Sequence, residues 1–424
     1  MKPWSMNTPV RSTRCLAWAG LLAALALPAA AEPDERTLGK DSGYPIGTNV
    51  ANWYEMPNWI GSWSALDQVP GMLTAVAPRA GMPSPLPKAA QGPAITYRYR
   101  NLGYTLDEYL ARRRITGLLV LKNGEIVTER YRYGRTADAR FLSFSMAKSV
   151  TSLLLGMAVS RGAIASLDDT AGKYAQDLAG SAYGDTTIRQ LLRMSSGLRF
   201  TERYDGQDDV ARLTRSVAGG PPGVVNVLRS ISERQSPAGE KFVYASAESE
   251  VLGRVLTAAT GRSITALTAE WLWQPIGAEH DAFWRLSPDR HEVAYAFFNA
   301  SLRDWGRLGL LLANDGRVGT RQIVPPDYLL DATDGARQPE AFRPGRATPY
   351  FGYGYQFWLF PLKTRSFAMQ GVHGQAVFVQ PASGIVMVQT AAYAGAGGAQ
   401  DPESYAERTA LWLGVLRSLG GQAD

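Results

Sequence analysis

The chain has 424 residues, with 44 Lys and Arg against 38 Asp and Glu, 45% hydrophobic side chains and one cysteine. That length can bury one large core or two intimately packed domains. The mild positive charge is spread out, with no Lys/Arg run of the kind that binds nucleic acid or a membrane surface.

The N-terminus carries Lys2, Arg11 and Arg14, then an apolar run from Cys15 to Leu27, then Pro28-Ala29-Ala30-Ala31. A charged region, an apolar region and a small-residue site in that order predict a secretory signal, residues 1–31, cleaved near Ala31–Glu32. The run falls short of the roughly 20 apolar residues that a membrane span needs, so no stable membrane anchor is expected after cleavage. Cleavage would leave 424 − 31 = 393 residues without cysteine, hence without disulfide or thiolate metal site. Export to a periplasm or the medium fits this composition.

Residues 32–95 show little periodicity but are dense in Pro, Gly and Trp, including Trp53, Trp59 and Trp63. Aromatics at this density argue against disorder and predict an irregular arm packed on the main body. Leu106 to Leu110 reads as a short helix. Gly117–Leu121 and Glu125–Arg132 read as strands joined by Lys122-Asn123-Gly124, a strong hairpin signal.

Phe141 to Gly162 follows as a helix, with Val150, Leu153, Leu154 and Met157 at helical spacing and Gly162 suited to the C-terminal cap. Ser145 and Lys148, three residues apart, project from one face. A free Ser hydroxyl needs an adjacent base, and burial pushes a Lys amine toward its neutral, basic form. Ser145-Met-Ala-Lys148 is the chain's one S-x-x-K sequence.

Beyond Leu167-Asp168-Asp169 the middle is mainly helical. Thr187-Ile-Arg-Gln190 resembles a capping box, and the helix it opens ends at Met194-Ser-Ser-Gly197. Phe200 to Gly223 reads as a polar loop, and Leu256–Trp273 and Ser301–Leu312 as helices. Gly354–Leu359, Phe367–Gln370, Gln375–Val379 and Ile385–Ala391 read as strands, with a turn at Pro381–Gly384, and Glu403–Leu419 closes the chain as a helix. Strands near both ends around a helical insertion predict an α+β fold, with an α/β domain from 96–165 and 296–424 and a mainly helical domain from 166–295.

A Ser-Lys pair also needs a proton shuttle, oxyanion donors and a substrate wall. Tyr244-Ala245-Ser246 offers a phenol and a hydroxyl two residues apart, and Gly371-Val-His-Gly-Gln375 has glycines that allow close backbone approach.

Ser145-x-x-Lys148, Tyr244-x-Ser246 and the late glycine strand, in this order, resemble the serine β-lactamase and penicillin-binding-protein superfamily. Thr116–Gly124, Ser143–Ser149, Thr187–Gly197, Pro237–Leu252 and Asn299–Gly306 are similar to its class C-like branch, and most similar to the 6-aminohexanoate-dimer hydrolase and esterase-like group. The resemblance implies an antiparallel sheet formed by both chain ends and flanked by helices. It implies that Ser145 is acylated, that Lys148 takes its proton, and that Tyr244 shares the base role and protonates the leaving group. The backbone N–H groups of Ser145 and Gln375 would hold the oxyanion, with Ala376 the donor if the register slips by one. Ser246 stands where β-lactamases have Asn, and the third motif lacks their Lys. A neutral ester or small amide suits Val372 and His373 better than a penicillin. Tyr204, Asp208 and Asp209 occupy the loop that approaches substrate in the oligomer hydrolases. Ser246, His373, Tyr204 and Asp208 are therefore the candidate substrate-binding residues.

The implied function is a serine hydrolase of small esters or amides. D-alanyl-D-alanine carboxypeptidase or β-lactamase activity is the alternative, and a non-catalytic sensor module the alternative of another class. No G-x-S-x-G occurs, and His280, His291 and His373 have no metal-ligand spacing, so neither an α/β hydrolase triad nor a metal or other cofactor is expected.

Overall fold

A computed structural model of the chain describes Met1 and residues 31–424. The stretch read as a signal peptide lies, apart from its two end residues, outside the described residues. Residues Glu32–Asp424 form one compact unit.

Its centre is a seven-stranded antiparallel sheet. The strands, in chain order, are β1 (Ile115–Lys122), β2 (Glu125–Tyr131), β3 (Gly352–Tyr353), β4 (Trp358–Leu359), β5 (Phe367–Gln370), β6 (Ala376–Gln380) and β7 (Ile385–Ala391). They lie side by side as β3-β4-β5-β6-β7-β1-β2. The late strand β7 pairs along the early strand β1, from Ile385 opposite Lys122 to Thr390 opposite Gly117. The two halves of the chain therefore close one sheet, as expected. Asn123 and Gly124 both take positive φ, which gives the tight hairpin between β1 and β2.

Strand β1 is apolar on both faces because both are covered. Leu119 and Leu121 pack into the core shared with the helix that follows Ser145, while Leu118 and Val120 pack beneath the C-terminal helix. The helices that matter for the site are α1 (Met146–Ser160), α2 (Asp209–Val217), α3 (Ser246–Thr260), α4 (Leu302–Ala313) and α5 (Pro402–Ser418). Every residue of α1 from Met146 to Ala158 is buried, so this helix has no solvent face. Capping boxes at Thr105/Glu108 and Thr187/Gln190 start two shorter helices.

Several elements differ from the sequence reading. The arm is partly regular: Trp59–Ser64 is helical, and Thr74–Ala77 joins a second sheet in the order Thr74–Ala77, Ala282–Arg285, Phe298–Ser301, Arg140–Leu142. Ala282–Arg285 is thus a strand inside the stretch expected to be mainly helical. The helix read over Leu256–Trp273 is two pieces: α3 starts at Ser246 and ends at Gly261, whose φ is +65°, and a second helical stretch of α and then wider π turns runs from Ile264 to Trp273. The strand read over Gly354–Leu359 is interrupted by Gln356 at φ +66°. The strand expected from Gln375 begins one residue later, behind a tight turn over Val372–Gly374. Among the described residues no helix is long and apolar enough to cross a membrane, and no three His, Cys, Asp or Glu side chains converge as a metal site.

Under the Ser-Ser-Gly turn, buried Glu248 accepts hydrogen bonds from the Ser196 hydroxyl at 2.6 Å and its N–H at 3.2 Å. Burial pushes its carboxyl up to about 8, against the pull of those bonds. The folded protein therefore holds this group protonated across a range where the unfolded chain ionises it. Stability is lost as pH rises from the unfolded pKa of 4.5 to the folded value. Glu248→Gln is expected to stabilise the protein by up to about 3 kcal/mol at pH 7 and by little at pH 4, which thermal melts at the two pH values would read.

Candidate active site

The site is built where the second sheet hands the chain to α1. Strand Arg140–Leu142 leads into Ser143, whose N–H donates to Phe298 O at 2.7 Å and whose hydroxyl accepts from Phe298 N–H at 2.9 Å. Phe144 then adopts φ +42°, a conformation unfavourable for a bulky residue. Its ring is held edge-on to Trp63 at 4.9 Å. The sharp turn presents Ser145 at the N-cap of α1, yet its side chain caps no backbone N–H. The hydroxyl instead meets Lys148 Nζ at 2.9 Å.

Lys148 is 1% exposed. Its ammonium donates to Ser145 Oγ and, also at 2.9 Å, to Tyr295 O. Among the described residues no carboxylate lies within 4 Å of it, so burial pushes its pKa down to about 8, with the more distant Glu202 pulling the other way. Tyr244 completes the group. Its ring centroid is 5.1 Å from Lys148 Nζ, and the ring stacks on Trp358 at 5.5 Å. Burial, then Glu202, raises the phenol's pKa above its ordinary value, opposed by the neighbouring Ser145 hydroxyl. The positive end of α1 adds stabilisation for an alkoxide at Ser145.

These groups open onto a cavity of about 360 Å³ lined by Ser145, Tyr204, Tyr244, Phe351, Trp358, Gln370, Gly371, Val372, Gly397, Tyr405 and Arg408, among others. Five aromatic side chains and the Arg408 guanidinium line it, and among the described residues no carboxylate does. A larger surface hollow at residues 219–226, beside Pro288 and Asp289, contains none of the candidate residues.

The structure brings Ser145, Lys148, Tyr244 and Tyr204 together. The other candidates, Gln375, His373, Asp208 and Ser246, do not line this cavity. Gln375 is 2% exposed, and its side chain is spent on the carbonyls of Val372, His373 and Ala391. It faces a small separate hollow with Ile60 and Trp63. The chain approaches the turn before Ser145 earlier, at Gly371, where an added Cβ would sit 2.3 Å from Ser143 O. His373 is buried behind the turn rather than on the cavity wall. Its Nδ1 pairs with Tyr393 O at 2.7 Å, Tyr54 OH bonds its Nε2, and burial pushes its pKa down to about 4. Asp208 is buried and committed to backbone N–H groups: Arg203 at 2.5 Å, Tyr204 at 2.7 Å and Ala211, which it caps, at 3.0 Å. Asp209 accepts from the N–H and hydroxyl of Thr201.

Ser246 donates from its hydroxyl (2.9 Å) and N–H (2.8 Å) to Glu202, which also accepts from Tyr204 OH at 2.5 Å. Glu202 therefore ties the loop before α2 to the start of α3 beside Tyr244. The sequence reading missed it. A lone Glu in a polar loop carries no spacing signal, and only the folded loop brings it to Ser246.

The β-lactamase family profile matches residues 88–410. A curated relative, the 6-aminohexanoate-dimer hydrolase of Paenarthrobacter ureafaciens, is 24% identical over 393 residues, 90% of this chain and 96% of its own. Among solved structures, a candidate 6-aminohexanoate-dimer hydrolase from Bacillus anthracis superposes with a TM-score of 0.76 at 22% identity, covering 86% of this chain and 95% of that one. EstCE1, a hydrolase with promiscuous acyltransferase activity, gives a TM-score of 0.56 at 16% identity over 70% of this chain and 94% of its own. With the profile spanning most of the chain, Ser145-x-x-Lys148 and the sheet closed by both ends fall into place: the protein belongs to the β-lactamase family and is a serine hydrolase of that family.

Proposed function

We propose that the protein hydrolyses small esters or amides through an acyl-enzyme on Ser145. The observation that carries this reading is the 2.9 Å contact of Ser145 Oγ with a buried Lys148 whose pKa lies near 8, at the floor of a cavity walled by aromatic rings. Lys148 in its neutral form takes the Ser145 proton as the hydroxyl attacks the substrate carbonyl. Tyr244 relays a proton to the leaving ester oxygen or amide nitrogen. Water then attacks the acyl-enzyme by the reverse proton path and frees Ser145.

The oxyanion sits between the N–H of Ser145 and that of Val372. Val372 is chosen over the expected Gln375 because Val372, and not Gln375, lines the cavity with Ser145. The relative from Paenarthrobacter ureafaciens supports amide hydrolysis, and EstCE1 supports acyl transfer, as chemistry available to this arrangement. Among the described residues the cavity wall offers no lysine and no carboxylate, and its one cation, Arg408, is 1% exposed and bonded to Gln370 and to Gln375 O. That favours a neutral, apolar ester or amide over a penicillin. The charged, apolar and small-residue order of residues 2–31 supports export as part of the same reading.

The test is reaction of the purified protein with a fluorophosphonate probe and with nitrophenyl butyrate, followed by mass spectrometry of the labelled peptide. Labelling at Ser145 with steady ester turnover is expected. Labelling without turnover would instead indicate a slow-deacylating sensor, and no labelling would overturn the hydrolase reading.

A further inference from the structure

The segment joining β5 to β6 turns at Val372–Gly374, with His373 at φ +58° and Gly374 at φ +92°. His373 is fixed at every polar atom. Its N–H donates to Ala396 O at 3.0 Å, and its carbonyl accepts from Tyr393 N–H at 3.1 Å. The Tyr393 carbonyl, 2.7 Å from Nδ1, is an acceptor only, so the proton sits on Nδ1. Nε2 therefore accepts, and Tyr54 OH is its donor. Tyr54 comes from the N-terminal arm. It leaves 40% of its surface exposed while its hydroxyl reaches the buried imidazole.

The imidazole also touches the nucleophile's side of the site. Its centroid lies 5.6 Å from the ring of Phe144, the residue that makes the strained turn before Ser145. Trp59 and Trp63, also from the arm, pack on the same ring at 4.8 and 5.1 Å. Next to this contact Gly371 lies against Ser143 and Phe144 with no room for a Cβ. One side chain thus connects the backbone that carries Ser145 to the turn that carries Val372. Tyr54, Trp59 and Trp63 all precede residue 88, where the family profile begins.

Building on the proposed hydrolase reading, we propose that His373 is a positioning residue. Oriented by Tyr54, it sets the spacing between the Ser145 and Val372 N–H groups, so that the arm completes the oxyanion site without lining the cavity. Misplacing a backbone donor weakens the interaction formed only in the transition state, which lowers kcat and leaves KM nearly unchanged.

The experiment compares Tyr54→Phe with the double variant Tyr54→Phe/His373→Phe, using nitrophenyl butyrate kinetics, thermal melts and fluorophosphonate labelling. Tyr54→Phe keeps the aromatic packing and removes only the hydroxyl. Its kcat is expected to fall roughly tenfold at unchanged KM, the effect of losing one orienting hydrogen bond. The double variant also removes the bond to Tyr393 O and places Phe at φ +58°, so it is expected to melt below Tyr54→Phe and to lose still more kcat. Wild-type kcat in a folded Tyr54→Phe protein would overturn the proposal, as would a double variant that regained activity along with stability. Failure of the hydrolase reading is a separate result: the unaltered protein would then neither label at Ser145 nor turn over ester.

Discussion

Ser145→Ala is expected to lower kcat/KM for nitrophenyl butyrate roughly ten-thousand-fold or more, because removal of a nucleophile leaves only binding and oxyanion stabilisation. It should also abolish fluorophosphonate labelling. The fold should hardly notice. The hydroxyl caps no helix N–H, and its removal leaves Lys148 still bonded to Tyr295 O. Stability is expected to stay within about 0.5 kcal/mol of the unaltered protein, the usual range for a substitution that opens no cavity and orphans no buried group. That separation of activity from stability is what a denaturation curve beside the kinetics would check. A Ser145→Ala protein that kept its esterase rate would move the nucleophile elsewhere and sink the acyl-enzyme mechanism.

The parts of this site that could be read from sequence are those set by local geometry. Three residues along a helix put Ser145 and Lys148 on one face whatever the helix packs against. Ser246 opens α3, so the helix start places Tyr244, two residues ahead of it, beside Lys148. The third motif was harder. Counting alternate residues assumes that a strand runs unbroken, whereas His373 at φ +58° inserts a turn that no periodicity announces. A histidine in that conformation is held there by its own hydrogen bonds to Tyr54 and Tyr393, residues 319 and 20 positions away.

The same limit applies to the acidic loop. Asp208 and Glu202 lie six residues apart in one polar stretch and carry equal weight on the page. Folding turns Asp208 inward as a cap for α2 and gives Glu202 the link to Tyr204 and Ser246. A carboxylate's role depends on which N–H and O–H groups the chain brings to it, and for loops that is tertiary information. The arm shows the converse. Its tryptophans were legible as packing residues from composition alone, but the surface they pack on is the imidazole behind the nucleophile turn, and that needed the fold.

Lys148→Met should separate function from stability in the opposite direction from most active-site changes. In the unaltered protein the amine must be neutral to accept the Ser145 proton. With a pKa near 8, only about a tenth of it is neutral at pH 7, so kcat/KM should rise with pH through about 8 and level off above. Methionine removes the base, and a loss of roughly a thousand-fold is expected, with no inflection left near pH 8. Stability should rise. Burial lowers the folded pKa from the ordinary 10.5 to about 8, so below pH 8 the fold carries the full cost of holding a buried charge. That cost is about 3 kcal/mol at pH 7 and fades between pH 8 and 10.5 as the unfolded chain also loses its proton. Losing the bonds to Ser145 and Tyr295 O offsets about 1 kcal/mol each, leaving a net gain near 1 kcal/mol at pH 7. The gain should vanish by pH 10, so melts at the two pH values test it. A Lys148→Met protein that kept its ester turnover, or a native rate profile flat from pH 7 to 9, would mean that some other group takes the proton from Ser145.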